Sequence, residues 1–307
     1  MIMRNNRNIS FIISVLFILF GNLCCFAQKD VTFKLSRADS GHYMFPVMLN
    51  GEVKASALLE SGIHAMLLDS AFAFENHEKL GVEFLPCDEK MNLGGRKYRI
   101  SHKANATLQL CDGVCYKGEV FLLSGFAGQY EAALPIQNLY NANGRRIIKL
   151  DLEGESLQLL CEYNAPGKEW SALKMNSETY MNMPAVESEM IFRGVGYVAS
   201  LKGNFNIDLG NASMLFLFKH RKRVQDFFDD NPKIELQKGY DRKGNVVAEA
   251  FVPDVFSVGG MRFSSPTIAI TGALPKFTTE GCLGIKYFRR VIALFDFDNN
   301  VCYMRER

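Results

Sequence analysis

Ala57-Leu58-Leu59-Glu60-Ser61-Gly62-Ile63-His64 is the stretch that decides how this chain is read. Its apolar run has the character of a buried strand, ends on a carboxylate, and turns on a glycine two residues later. A buried carboxylate without a partner is costly, or simply takes up a proton. Glu60 therefore needs something to face.

An internal repeat supplies the partner. Asn204-Phe205-Asn206-Ile207-Asp208-Leu209-Gly210-Asn211-Ala212 repeats the apolar lead-in, the carboxylate and the glycine, and Asp208 lies 148 positions after Glu60. Glu131-Ala132-Ala133-Leu134-Pro135-Ile136 has its counterpart in Glu280-Gly281-Cys282-Leu283-Gly284-Ile285, 149 positions on. Each half closes with apolar residues, an aspartate and a turn, at Asp151 and at Asp296. Hairpin turns at Asp112-Gly113 and Gly259-Gly260 precede these late strands. Four features in one order at nearly one offset predict two copies of a β-rich lobe. If the copies pack about a pseudo-twofold axis between the two glycine turns, Glu60 and Asp208 meet there and share a proton.

The remaining elements fit that plan. Asp69-Ser70 followed by Ala71 to Leu80 and Gly81 predicts a capped helix, and Leu215 to Phe228, stopped by Asn231-Pro232, predicts its counterpart. Tyr43 to Leu49 before Asn50-Gly51 reads as the first strand of a hairpin. The lobes are expected over 28–163 and 184–307, joined by an aperiodic linker over 164–183.

The first 27 residues have the layout of an export signal: Arg4 and Arg7, an apolar core from Phe11 to Phe20, and Cys25-Phe26-Ala27 before a cleavage point at Gln28. The expected location is periplasmic or extracellular. Anchoring through the N-terminus is the lesser alternative: the apolar run is short for a span, and Gly21-Asn22-Leu23 is a poor lead-in to a lipid-modified Cys24 or Cys25. No later segment is expected to span a membrane. Without Arg4 and Arg7 the basic residues balance the 33 acidic ones, which gives no electrostatic footprint for nucleic acid. The five histidines show no ligand spacing with one another or with the cysteines, so neither a metal nor a cofactor is expected. His64 beside the first turn reads as an ordinary histidine rather than a third catalytic group. Of the six cysteines after the leader, Cys111 and Cys115 flank a short turn and form the one candidate disulfide, free thiols being the alternative.

From about His42 to Arg305 the sequence resembles the pepsin-like and retropepsin-like aspartic proteases, on Leu58-Leu59-Glu60-Ser61-Gly62, Ile207-Asp208-Leu209-Gly210, Gly281-Cys282-Leu283-Gly284-Ile285 and Asp296-Phe297-Asp298. The resemblance implies a mainly β, bilobal acid-protease fold: a double β-barrel with pseudo-twofold lobes and a few short helices. It implies a monomer in which Glu60 and Asp208 activate water against a peptide or protein substrate. Ser61, Gly62, Leu209, Gly210 and Asn211 would form the active-site loops. A hairpin over Met91 to Tyr98, with Gly94, Gly95 and Tyr98, would form a flap, and Gly239 to Asn245 would be its solvated counterpart. Two departures stand out. Glu60 occupies the place of an aspartate, and Leu209 lacks the hydroxyl with which the family ties one loop to the other, so that either this half of the network is missing or Asn211 substitutes for it. The alternative to an exported endopeptidase is therefore an inactive descendant that binds peptides or a protein in the cleft. An unrelated secreted β-sandwich would explain the strands but not the paired glycine turns.

Overall fold

The computed structural model describes residues 29–93, 96–125, 130–164, 166–176, 179–272, 274 and 276–307. The expected export signal at 1–27 and the flap glycines Gly94 and Gly95 lie outside these residues. The chain is mainly β and bilobal. One nine-stranded sheet builds the first lobe, and a fifteen-stranded sheet runs through the join into the second.

The alternation of Val53–Glu60, with Val53, Ala55, Ala57 and Leu59 buried, gives the strand one apolar face, and that face decides its register. It pairs antiparallel with Tyr43–Leu49 across the Asn50-Gly51 turn, where both residues take positive φ. On its other side it runs parallel to Ala132–Pro135, which sets Glu60 opposite Pro135. The second lobe repeats this wiring. Tyr197–Asp208 pairs antiparallel with Ala185–Gly194 and parallel with Gly281–Gly284, which sets Asp208 opposite Gly284. Met66–Asp69 and Leu215–Phe218 then slot in beside the late strands in matching positions.

The two glutamates of the repeat serve one local purpose. Glu131 exchanges backbone bonds with Ser56, donating to its carbonyl at 3.0 Å while its carboxylate accepts from the Ser56 amide at 2.8 Å. Glu280 does the same with Asn204 at 2.9 and 2.7 Å, and the guanidinium groups of Arg221 and Arg223 stand 3.9 and 3.6 Å from it. Each glutamate thus fastens the late strand to the carboxylate strand a turn before the site.

The lobes join where Ile147–Asp151 pairs antiparallel with Val291–Asp296. Ser156–Leu159 and Val31–Lys34 extend this sheet on one side, and Val301–Glu306 and Ser171–Asn176 on the other. Ser171–Asn176 lies within the segment expected to be a linker. It is a strand because it finds two partners, Val301–Glu306 and then Ala185–Val186, that local periodicity cannot report. The helix expected over 215–228 begins only at Lys222, since Leu215–Phe218 is buried between two strands. In the first lobe Asp69 caps Ser70–Glu75 by accepting from Ala71 and Phe72 at 3.0 and 3.1 Å, and a second short helix follows over His77–Leu80. Cys111 and Cys115 are not bonded; the register sets Cys111 against Val114 and Cys115 against Gln109.

Gly281 packs so closely on the next strand that a Cβ would meet the Phe216 carbonyl. Gly281→Ala is expected to destabilise the fold by about 1–3 kcal/mol through overpacking, read as a lowered urea midpoint with unchanged slope.

Candidate active site

The two parallel pairings carry Glu60 and Asp208 to the same spot between the lobes. The Asp208 carboxylate lies over the first loop, its Oδ1 2.7 Å from where a Cβ on Gly62 would sit, and a Cβ on Gly210 would collide with the Glu60 carboxylate. Each acid therefore occupies the space left by the glycine of the opposite loop. Neither glycine has positive φ. They are required by the carboxylate across the axis rather than by turn conformation, a reason the sequence did not reveal.

The extra methylene of Glu60 is taken up by the side chain folding back on its own loop. Its Oε2 accepts from the amides of Ser61 and Gly62, both at 3.3 Å, while Asp208 Oδ1 accepts from Gly210 at 3.2 Å. The bonds from Gly62 and Gly210 are counterparts in the repeat, so the longer acid reaches the same kind of partner as the shorter one. Burial raises both carboxyls, Glu60 to about 8, where the neighbouring charge of Asp208 adds to the rise, and Asp208 to about 6. The Gly210 amide, His42 and the Asn211 side chain restrain the rise at Asp208 by favouring its ionised form.

The loops are tied together from one side. The buried Ser61 hydroxyl donates to the Ile207 carbonyl at 2.7 Å and accepts from the Leu209 amide at 2.9 Å. Leu209 returns no such bond and is buried in the apolar core. Asn211 does not take over the missing role: its side chain bonds Asp208 and accepts from the Ser213 amide at 2.8 Å. Gln137, also buried, braces the first loop by donating to the Ile63 carbonyl at 2.8 Å.

Above the acids is a cavity of about 370 Å³. Asn92, Leu93 and Tyr98 of the Leu85–Leu93 and Arg96–Cys111 hairpin line one side of it, so the described part of the expected flap does border the acids. Tyr130 lines it from the first lobe, and Met181, Met183 and Phe277 from the interlobe segment and the second lobe. His42 is the residue that sequence reasoning missed. Extending the pairing of Met44 with Leu58 by two places sets His42 level with Glu60, so the Asn50-Gly51 hairpin held the signal. His64 instead pairs with Glu119 at 3.5 Å, outside the cavity lining. The hairpin turn at 241–245 is exposed and held by the Asp241 carboxylate. Among the described residues no three His, Cys, Asp or Glu side chains gather as metal ligands, and no helix is long and apolar enough to cross a membrane. A larger groove of about 800 Å³ on the first lobe, lined by Phe33, Val47 and Phe72 among others, contains neither acid.

Ser61→Ala would leave a buried amide and a buried carbonyl unpaired and is expected to cost about 2 kcal/mol or more, read as a lowered urea midpoint. Acids whose pKa is raised on folding hold more protons in the native than in the unfolded state. Their favourable contribution is complete below the ordinary carboxylate range and is lost as pH rises through about 6 and about 8. The urea midpoint should therefore fall between pH 4.5 and 8, and Asp208→Asn should flatten that fall.

No family model matches the chain, and no curated protein matches it in sequence. Among solved structures, the aspartic proteinase from Irpex lacteus superposes with a TM-score of 0.54 over 91% of this chain and 97% of that one, at 11% identity. At that identity the likeness is one of fold, and the chain has the bilobal, mainly β acid-protease fold.

Proposed function

We propose that the protein is an exported endopeptidase of the aspartic type, with Glu60 and Asp208 as its catalytic pair. The observation that carries this reading is the crossed placement of the acids, each filling the Cβ space of the opposite glycine at the base of a cavity bordered by a hairpin. A structural carboxylate has no need of a second acid at its side, whereas general acid–base chemistry does.

The working state holds one proton between the two acids. Glu60 retains it more strongly and Asp208, supported by Asn211 and the Gly210 amide, carries the charge. Asp208 takes a proton from water as the water oxygen attacks the peptide carbonyl carbon, and Glu60 gives its proton to the carbonyl oxygen. Asp208 then returns a proton to the leaving nitrogen as the C–N bond breaks, and the pair is restored when Glu60 recovers a proton from the diol. Substrate is a peptide or protein segment laid beneath the hairpin. The apolar lining of Leu58, Ile63, Leu93, Met181, Met183 and Phe277 suits uncharged side chains.

The missing hydroxyl at Leu209 favours a second reading, in which the cleft binds peptides without turnover. Incubating the secreted protein with a mixed peptide library separates the two. Cleavage should follow a bell-shaped pH profile with limbs near about 6 and about 8, because below it both acids are protonated and above it both are charged. Asp208→Asn should lower the rate by at least about a hundredfold. Peptide binding with no cleavage across that range would establish the binding reading.

A further inference from the structure

Pseudo-twofold symmetry calls for reciprocal locks between the carboxylate loops, and the hydroxyl of Ser61 provides only one. Its mate would sit at Leu209, which has no polar atom in its side chain. The second loop is nevertheless held from the first lobe at another point. His42 Nε2 lies 2.9 Å from the Gly210 carbonyl, across the axis, and Nδ1 lies 2.9 Å from the Ser40 hydroxyl. A carbonyl can only accept, so Nε2 carries the proton and donates, in the neutral ring as in the charged one. The Ala38 amide donates to the His42 carbonyl at 2.8 Å, fixing the turn that presents the ring.

Among the described residues the feature is confined to one half. Extending the register of Ala185 with Asn206 by two places sets Met183 level with Asp208, as His42 is level with Glu60. Met183 offers a thioether and no donor, so no equivalent bond returns to the Gly62 carbonyl from that position. Gly210, the residue His42 grips, is also the one against which the Glu60 carboxylate rests and whose amide supports Asp208.

We propose that His42 is a positioning residue: its imidazole N–H on the Gly210 carbonyl replaces, from the first lobe, the cross-loop lock absent at Leu209, and keeps the second loop seated beneath Glu60. The fastening stands on geometry alone, and its effect on turnover rests on the proteolytic reading above. Amide hydrogen exchange of peptides spanning 205–214 tests it in the full chain. His42→Leu, which keeps bulk without a donor, should speed exchange there by about five- to tenfold, the effect of one lost hydrogen bond. His42→Gln, which keeps an N–H donor, should stay within about twofold of the parent.

Unchanged exchange in His42→Leu, or equal loosening in both variants, would overturn the proposal. In the peptide assay His42→Leu should lower kcat with KM unchanged, and His42→Gln should recover it. Faster exchange with kcat unaffected in an active parent would likewise overturn the positioning role. A parent that cleaves nothing refutes the proteolytic reading and leaves the exchange result to decide the fastening.

Discussion

Two carboxyl groups enclosed side by side resist being charged together, and the rest of this structure is arranged around keeping them adjacent. Their adjacency is held by geometry. Parallel strand pairs deliver Glu60 and Asp208 to the axis, and glycines opposite them leave room for the oxygens. Backbone amides then meet one face of each acid. The glutamates at 131 and 280, one strand turn back, tie the late strands to the carboxylate strands, so the approach angle of each loop is set before the loop begins.

The lobes share a plan but divide its duties unevenly. The first lobe contributes the hydroxyl of Ser61, the imidazole of His42 and the amide of Gln137, all engaged with loop carbonyls. The second contributes Asn211, which supports the charge on Asp208, and the apolar side chains of Leu209 and Phe277. The hydrogen bonds that hold the loops thus come mainly from one side, while the other places the charge.

The sequence revealed what is local. A strand ending on an acid and turning on a glycine is legible wherever it occurs, and finding it twice located both acids, the lobes and the late strands. What it concealed depends on partners distant in the chain. Ser171–Asn176 looks aperiodic because its strand character comes from Val301–Glu306, and Leu215–Phe218 looks like the start of a helix because strand and helix share a short apolar run. His42 carried no motif, and its place opposite Glu60 emerges only when the hairpin register is followed past its last paired residues. The purpose of Gly62 and Gly210 was hidden for the same reason, as the group that excludes a side chain there belongs to the other half.

The sheet at the join, with Ile147–Asp151 lying against Val291–Asp296, is the seam that two separate identical subunits would form on meeting. In such an assembly every change is imposed twice, once on each side of the axis. Covalent tethering removes that obligation. One copy can lengthen its acid while the other keeps a shorter one, and a ring can be installed at a single corner without its mirror image crowding the same space. The bond between the copies has made the centre of the molecule free to evolve as two different halves.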